Sequence, residues 1–351
     1  WERPPFKLTK DDTYFYARGT IDNKFGLAHL TSTFIRLIKE GFIPNRDLIL
    51  VFSGDEETNM LTARQLAARE DLAKAEFALN SDAGGGDLNI DGKALVYNIQ
   101  AAEKTYVTWE ITARNPGGHS SRPRPDNAIY DLADAINKIR DYRFPVRWNP
   151  MTLEFFRITG EQMGGELGDA MIKFSEDPEN KEASDRLYIE SSYVGTTRTT
   201  CVVTMLRAGH AENALPQSAT ATINCRVFAG APTADVLKTL KEIINNNDIE
   251  FKEIYKPVES PVSELREEVR AAISKALQGR YPGVRMIAYM GSGGTDGMHF
   301  RRAGVPTWAA SGIFMNPDEM FAHGLNERVP IKTFYGALDH WSIIIKELTS
   351  D

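Results

Sequence analysis

The chain has 351 residues, 42% hydrophobic and 25% charged, an ordinary folded composition at a length of about two domains of roughly 150 residues each. Its 41 basic and 48 acidic residues give a formal net charge of −7, without the electrostatic footprint of a nucleic-acid binder. No apolar run approaches the roughly 18 residues of a membrane span, and two cysteines, Cys201 and Cys225, exclude a disulfide scaffold or a thiolate metal cluster.

The chain opens at Trp1, in Trp-Glu-Arg-Pro-Pro-Phe, with neither Met nor signal peptide, and reads like the middle of something longer. From Lys24 to Glu40, Leu27, Leu30, Phe34, Leu37 and Ile38 share one helical face, and Gly41 stands where a C-terminal cap belongs. Asp47-Leu-Ile-Leu-Val-Phe-Ser53 is continuously apolar, as strands buried on both faces are. A helix near Thr58 to Glu70 and a strand from Ala75 to Ser81 follow, the alternation of a doubly wound, mostly parallel α/β sheet.

After about residue 103 the strands alternate instead: Thr105–Thr112, Thr200–Leu206 and Ala219–Val227, which implies an antiparallel sheet with one wet face. Helices at Asn127–Arg140 and Thr233–Asn246 and a strand at Ile249–Tyr255 complete a split βαβ, ferredoxin-like α+β arrangement, interrupted by a polar stretch at Ser175–Ser192. From Pro261 the α/β texture returns, with a helix to about Gln278, strands near Arg285–Tyr289 and Val305–Ala310, and a last helix after Pro330. The expected division is a catalytic domain of residues 1–103 and 258–351 around an inserted domain of residues 104–257. Cys201 and Cys225, both on strands of the insertion, are expected to be small buried apolar residues.

Acidic residues gather at strand ends and before helices, where open α/β sheets place their ligands. Asp22 precedes the first helix, Glu56 and Glu57 end Ser-Gly-Asp-Glu-Glu, and Asp82 ends Asn-Ser-Asp-Ala-Gly-Gly-Gly. Taken singly, Asp22 and Asp82 fit equally well as acids that begin helices. The run Asp55-Glu56-Glu57 does not, because only one of its members can cap. Crowded carboxylates repel and are costly unless a cation neutralises them, so a divalent metal is the economical answer. Of the six histidines, His29 and His340 lie inside amphipathic helices and read as structural, and His210 and His299 are weaker candidates. His323, beside Gly324, and His119, in Pro-Gly-Gly-His-Ser-Ser, sit in loops of the kind that carry function. Gly84-Gly-Gly86 and Gly291-Ser-Gly-Gly294 lack the Gly-Lys-Ser/Thr of a phosphate loop, and no Gly-x-Ser-x-Gly elbow offers a serine nucleophile.

These motifs together are familiar. Ala17-Arg-Gly-Thr-Ile-Asp-Asn-Lys24, Gly54-Asp-Glu-Glu57, Asp82, Gly117-Gly-His-Ser120, Asn213-Ala-Leu-Pro216, Arg226, Gly293-Gly-Thr-Asp296 and His323-Gly-Leu-Asn-Glu327 stand in an order and spacing that resembles a family of dinuclear-zinc metallopeptidases and deacylases. That family includes aminoacylase, bacterial glutamate carboxypeptidase, carnosinase-like dipeptidases, acetylornithine deacetylase and succinyl-diaminopimelate desuccinylase. The resemblance implies that Asp22 bridges two zinc ions, Glu57 and His323 complete one site, Asp82 binds the other, and Glu56 is the general base. It implies further that the insertion is a lid that mediates homodimerisation, with His119 reaching across to the site of the partner subunit to stabilise the oxyanion. Asn213 and Arg226, with Gly294 and Thr295, would hold a small peptide or N-acyl amino-acid substrate by its carboxylate, a task for which the Arg fork is well shaped.

The family pattern also places a His-x-Asp motif ahead of the Trp1 segment, the His binding the second zinc. Neither residue is in this chain, so it is expected to be an N-terminally incomplete piece or to have lost one metal position. The expected activity is zinc-dependent hydrolysis of an amide bond beside a free carboxylate. The rival readings are a non-catalytic protein of the same fold that binds a peptide or metabolite, and an α/β protein whose acids merely cap helices. Carboxylate and imidazole sites accept cobalt or manganese as well as zinc. A soluble protein without membrane or nucleic-acid partners is expected, its compartment, cytoplasmic or exported, left open.

Overall fold

The computed structural model describes residues 1–350, and the chain divides into two compact units. One comprises Trp1–Ala102, Val262–Tyr289 and Thr295 onward, the other Glu103–Pro261 with the short segment Met290–Gly294. None of the described helices is long and apolar enough to cross a membrane.

In the first unit the strands run in the order Phe314–Met315, Gly85–Leu88, Ala94–Glu103, Thr307–Ala309, Ala78–Asn80, with Arg285–Gly291 also paired to the long strand Ala94–Glu103. The sheet is mixed, not mostly parallel as the alternation of elements suggested. Thr307–Ala309 lies parallel to Ala78–Asn80 and Phe314–Met315 parallel to Gly85–Leu88, but the long strand is antiparallel to its neighbours Gly85–Leu88 and Thr307–Ala309. The cause is a hairpin that hydrophobic periodicity does not reveal. Asn89 Oδ1 accepts from the backbone of Asp91 and Lys93 at 3.0 and 2.8 Å, and Gly92 takes φ +77°, which closes Asn-Ile-Asp-Gly-Lys into a tight reversal. The glycines before it serve packing: a Cβ on Gly86 would stand 1.9 Å from the Phe314 ring.

Other expectations also need correction here. The segment Leu48–Phe52 has no ladder partner among the described residues and is no strand, and Ile49 and Phe52 are 55% and 45% exposed. The first helix, Lys24–Lys39, buries Phe25, Gly26, His29, Thr33 and Leu37 rather than the broader stripe read from sequence, and Leu27 and Ile38 face outward. That helix packs on the C-terminal helix Ile331–Thr349, where Phe25, Phe334 and Ala337 share one apolar cluster and the His29 ring lies 4.6 Å from that of Phe334. His29 and His340 are both fully buried.

The second unit holds a four-stranded antiparallel sheet in the order Glu250–Glu253, Thr105–Arg114, Ser218–Val227, Thr200–Ala208. Alternation sends Val107, Trp109, Ile111, Ala221, Ile223 and Cys225 into one core with Leu132, Ile139 and Leu240 from the helices Ala128–Asp141 and Thr233–Ile244. Helices Pro150–Met163, Gly165–Glu176 and Lys181–Tyr188 form a satellite around Phe156, Met171 and Phe174, so the polar stretch read at 175–192 is largely helical. Cys201 and Cys225 are not separate apolar side chains. They face each other directly across the ladder, with Cα atoms 4.1 Å apart, and are joined as a disulfide.

Ile223 is fully buried on the central strand of this sheet. Ile223→Ala should therefore cost about 2–5 kcal/mol of stability, the transfer and cavity terms together. A loss below about 1 kcal/mol in urea unfolding would contradict this placement of the core.

Candidate metal centre

In the first unit the acidic loop is held by one of its own carboxylates. Asp55 accepts hydrogen bonds from the backbone of Leu61 and Thr62 at 2.7 and 3.0 Å and from the Thr62 hydroxyl, which pins residues 54–62 ahead of the helix Leu61–Ala67. Asp55 thus does the capping and leaves Glu56 and Glu57 for other work. Asn23 ties the next segment: its Oδ1 caps the helix Lys24–Lys39 through Gly26 N at 3.0 Å, and its amide donates to Ser81 Oγ at 3.3 Å and to the Asp82 carboxylate. The helix start lies so close to the strand end that a Cβ on Gly26 would stand 2.1 Å from Ser81 Oγ. Asp22, joined to Asn23 by a cis peptide, and Asp82 are brought together this way.

His323 approaches from a loop near the C-terminal helix, with left-handed backbone at φ +60°. Its Nε2 lies 2.8 Å from Asp22 Oδ2 and 3.0 Å from Glu57 Oε2. One donor atom from each of Asp22, Glu57 and His323 falls within 4.8 Å of the others. A ring nitrogen with two carboxylate oxygens is the donor chemistry of zinc and its neighbours.

Burial and mutual repulsion act on several of these acids. Asp22 is pushed above the usual carboxylate range by burial and then by the charge of Glu57. Burial and the charge of Asp22 raise Asp82 to about 7. Burial, then Asp82 and Glu57, raise Glu56 to about 8. His323 is held above the ordinary imidazole value by its hydrogen bond to Glu57 and by that group's charge. Asp22, Asp82 and Glu56 are each disfavoured as anions, and a divalent ion would relieve them.

Residues expected to touch the substrate lie mostly in the second unit. The short strands Gly118–His119 and Ala214–Leu215 pair, and Ser120 N donates to Asn213 O at 2.9 Å, so His119 and Asn213 are neighbours. The backbone N–H of Ser121 donates to His119 Nδ1 at 3.2 Å. That nitrogen is therefore an acceptor, and the neutral ring carries its proton on Nε2. Arg226 lies over the Tyr106 ring at 4.6 Å and donates to Ser292 O at 2.9 Å, beside the exposed Gly294. Thr295, in the first unit, is a brace: its buried hydroxyl accepts from Asn80 Nδ2 and from Gly297 N, both at 3.2 Å.

Sequence reasoning passed over several participants. Asp296, bonded through Oδ2 to Ser53, adds its charge to those acting on Glu56 and Asp82. Lys104 is buried, donates to Arg198 O at 3.0 Å, and is pushed down to about 7 by burial and by Arg226. Glu327, fully buried, receives Arg18 and two backbone N–H groups. Glu327, Asp296 and Arg18 stood within recognised motifs and Lys104 did not, and nothing in a linear motif told a buried carboxylate from an exposed one.

A mixed α/β unit carrying a His/carboxylate donor set, with an α+β insertion, defines the class as metal-dependent hydrolase. Residues 1–347 match the model of Peptidase family M20/M25/M40, and the chain belongs to that family. It is 26% identical to a probable carboxypeptidase S-like 2 of Dictyostelium discoideum, over 99% of this chain and 68% of that protein. It is 25% identical to the human N-fatty-acyl-amino acid synthase/hydrolase PM20D1, over 95% of this chain and 68% of that protein. Among solved structures, the fold superimposes on an M20 family metallo-carboxypeptidase of Sulfolobus solfataricus with a TM-score of 0.71 and 20% identity, covering 99% of this chain and 80% of that one.

In an unfolded chain the carboxyls titrate near 4, whereas the folded centre keeps Asp82 protonated to about 7 and Glu56 to about 8. At these two carboxyls the folded metal-free protein binds more protons than the unfolded one, so their contribution to stability falls as pH rises through that window, whereas buried His29 and His340, both held below the ordinary imidazole value, contribute in the opposite sense. Between pH 5.5 and 8 the melting temperature of chelator-treated protein should fall relative to that of a Glu56→Gln, Asp82→Asn double variant, and added zinc should raise the parent's by an amount that grows with pH. A zinc-induced shift independent of pH would contradict this electrostatic account.

Proposed function

We propose that this chain hydrolyses the amide bond of a small peptide or N-acyl amino acid beside a free carboxylate, with Glu56 as general base at a zinc centre. The convergence of His323, Asp22 and Glu57 at 2.8–3.0 Å, with Glu56 next in sequence, carries this reading. The activities named for the relatives, a probable carboxypeptidase and an N-fatty-acyl-amino acid synthase/hydrolase, support the substrate class. Asp22, Glu57 and His323 would hold one zinc, and Asp82 with Asp22 would contribute to a second; cobalt or manganese suits the same donors. A bound zinc supplies Lewis acidity that polarises the scissile carbonyl and brings the pKa of water toward about 7.

The chain's own residues do the rest. Glu56, whose raised pKa lets it hold a proton near neutrality, takes the proton of the attacking water and returns it to the leaving nitrogen. His119, which the resemblance places at the site of the partner subunit, would present Nε2–H there as the donor for the developing oxyanion. Arg226 and Asn213 hold the substrate carboxylate, Arg226 with its guanidinium already oriented by the Tyr106 ring. Gly294 lies in the segment that Arg226 anchors, with Thr295 next to it. Homodimerisation through the inserted unit is supported by the edge strand Thr200–Ala208, on which Val202, Met205 and Leu206 are 57%, 64% and 65% exposed.

Glu56→Gln keeps the side-chain volume and removes the base. It should retain bound zinc, measured by elemental analysis, and lose about 10²–10⁴-fold in kcat on N-acyl amino acids or dipeptides. Turnover within tenfold of the parent would overturn the assignment. Arg226→Ala should raise KM for substrates with a free carboxylate and leave the corresponding amides unaffected. An equal loss on both would show that Arg226 does not read the carboxylate.

A further inference from the structure

The metal donors come from segments far apart in sequence, yet His323 Nε2 meets Asp22 Oδ2 at 2.8 Å. We propose that Glu327 and Arg18 are the positioning residues that set this meeting and thereby the affinity of the metal centre; the proposal rests on the metal reading above. Glu327 is fully buried. Its Oε1 accepts from the backbone N–H of Ile21 at 2.9 Å and of Asp22 at 3.1 Å, so this carboxylate fixes the peptide that carries the Asp22 side chain. Its Oε2 accepts from Arg18 Nη1 at 2.7 Å. The other arm of the guanidinium, Nη2, reaches the carbonyl of Gly324 at 3.0 Å and that of His323 at 3.4 Å. One chain of contacts therefore runs from the backbone of Asp22 through Glu327 and Arg18 to the backbone of His323.

The loop needs such a clamp. His323 and Asn326 both hold left-handed backbone, at φ +60° and +56°, a conformation that non-glycine residues keep only where the surroundings impose it. The clamp is itself covered: the Trp1 ring lies 5.2 Å from the Arg18 guanidinium, Glu2 N donates to Asn326 Oδ1 at 3.0 Å, and Lys24 Nζ donates to Arg18 O at 3.0 Å. Chemistry selects the residue types. Glutamate offers acceptors on both oxygens, one to two backbone donors and one to a guanidinium. Glutamine would keep one acceptor and turn an N–H toward an N–H. Lysine at position 18 would keep the charge on Glu327 but could not also span to the Gly324 carbonyl, because it lacks the fork.

The test measures Co²⁺ affinity by chelator competition, together with the visible absorption of bound Co²⁺, in the parent chain and in Glu327→Gln and Arg18→Lys. Ile273→Ala, on the buried face of the helix Glu267–Gln278, serves as a control that lowers stability without touching the clamp. Glu327→Gln should weaken Co²⁺ binding by about 10–100-fold and change the Co²⁺ spectrum, as loss of a partner that orients a ligand does. Arg18→Lys should show a smaller loss of the same kind, and Ile273→Ala should leave affinity and spectrum as in the parent. If the parent takes up Co²⁺ and both clamp variants bind it as tightly with the same spectrum, the metal centre stands and this proposal falls. An equal affinity loss in Ile273→Ala would reduce the clamp to general stability and overturn the proposal too. Should Glu327→Gln fail to fold, Arg18→Lys decides alone. No Co²⁺ uptake by the parent would remove the metal reading and this proposal with it.

Discussion

Like charge held close out of bulk water must be compensated, and the first unit is organised around that requirement. Asp22, Glu56 and Asp82 are each raised by burial first, then Asp22 by the charges of Glu57 and Glu327, Asp82 by those of Asp22, Asp296 and Glu57, and Glu56 by those of Asp82, Glu57, Asp296 and Asp22. Leaving the acids ionised and alone in a partly dry site is costly. Protons relieve that cost in the metal-free state, and a divalent ion would relieve it while freeing the protons. The proposed function draws on the same cluster, since it gives Glu56, which shares this field, the work of the general base.

The scaffold carries this arrangement by giving structural tasks to residues other than the donors. Asp55 caps its own loop and frees Glu56 and Glu57, Asn23 caps a helix while donating to Asp82, and Glu327 with Arg18 secures the backbones of Asp22 and His323. Within the second unit, the paired short strands that bring His119 beside Asn213 and the Tyr106 ring under Arg226 do the same for the side chains assigned to substrate. The side chains given roles in the proposed function thus have neighbours with separate hydrogen-bonding or stacking roles, the kind of support that holds side chains to the tolerance catalysis demands.

Much of the second unit was legible in its sequence. The strands from Thr105, near Ala219 and from Thr200, and the helices beginning near Asn127 and Thr233, follow from period-2 and period-3.6 patterns that one buried face enforces. The first unit was read less well, because its elements depend on contacts that no local window records. The hairpin Gly85–Leu88/Ala94–Glu103 turns on Asn89 and Gly92. Leu48–Phe52 has a buried strand's composition without a ladder beside it among the described residues, and the first helix buries the face that meets the C-terminal helix rather than its most apolar stripe. The disulfide between Cys201 and Cys225 depends on register, which sequence separation does not disclose. For the candidate site, acidic loops and motif order pointed to Asp22, Glu57, Asp82 and His323, but Glu327 and Arg18, whose hydrogen bonds reach the backbones of Asp22 and His323, are distinguished only by burial and partner geometry.

The central claim is that a divalent ion takes the place of protons in this carboxylate cluster. Calorimetric titration of chelator-treated protein with zinc at pH 7, in buffers of different ionisation enthalpy, counts the protons displaced. At least about one proton should leave per chain on binding, because the cluster is partly protonated at that pH and its ligands must ionise to hold the ion. Zinc binding without proton release, or no binding at all, would contradict the account.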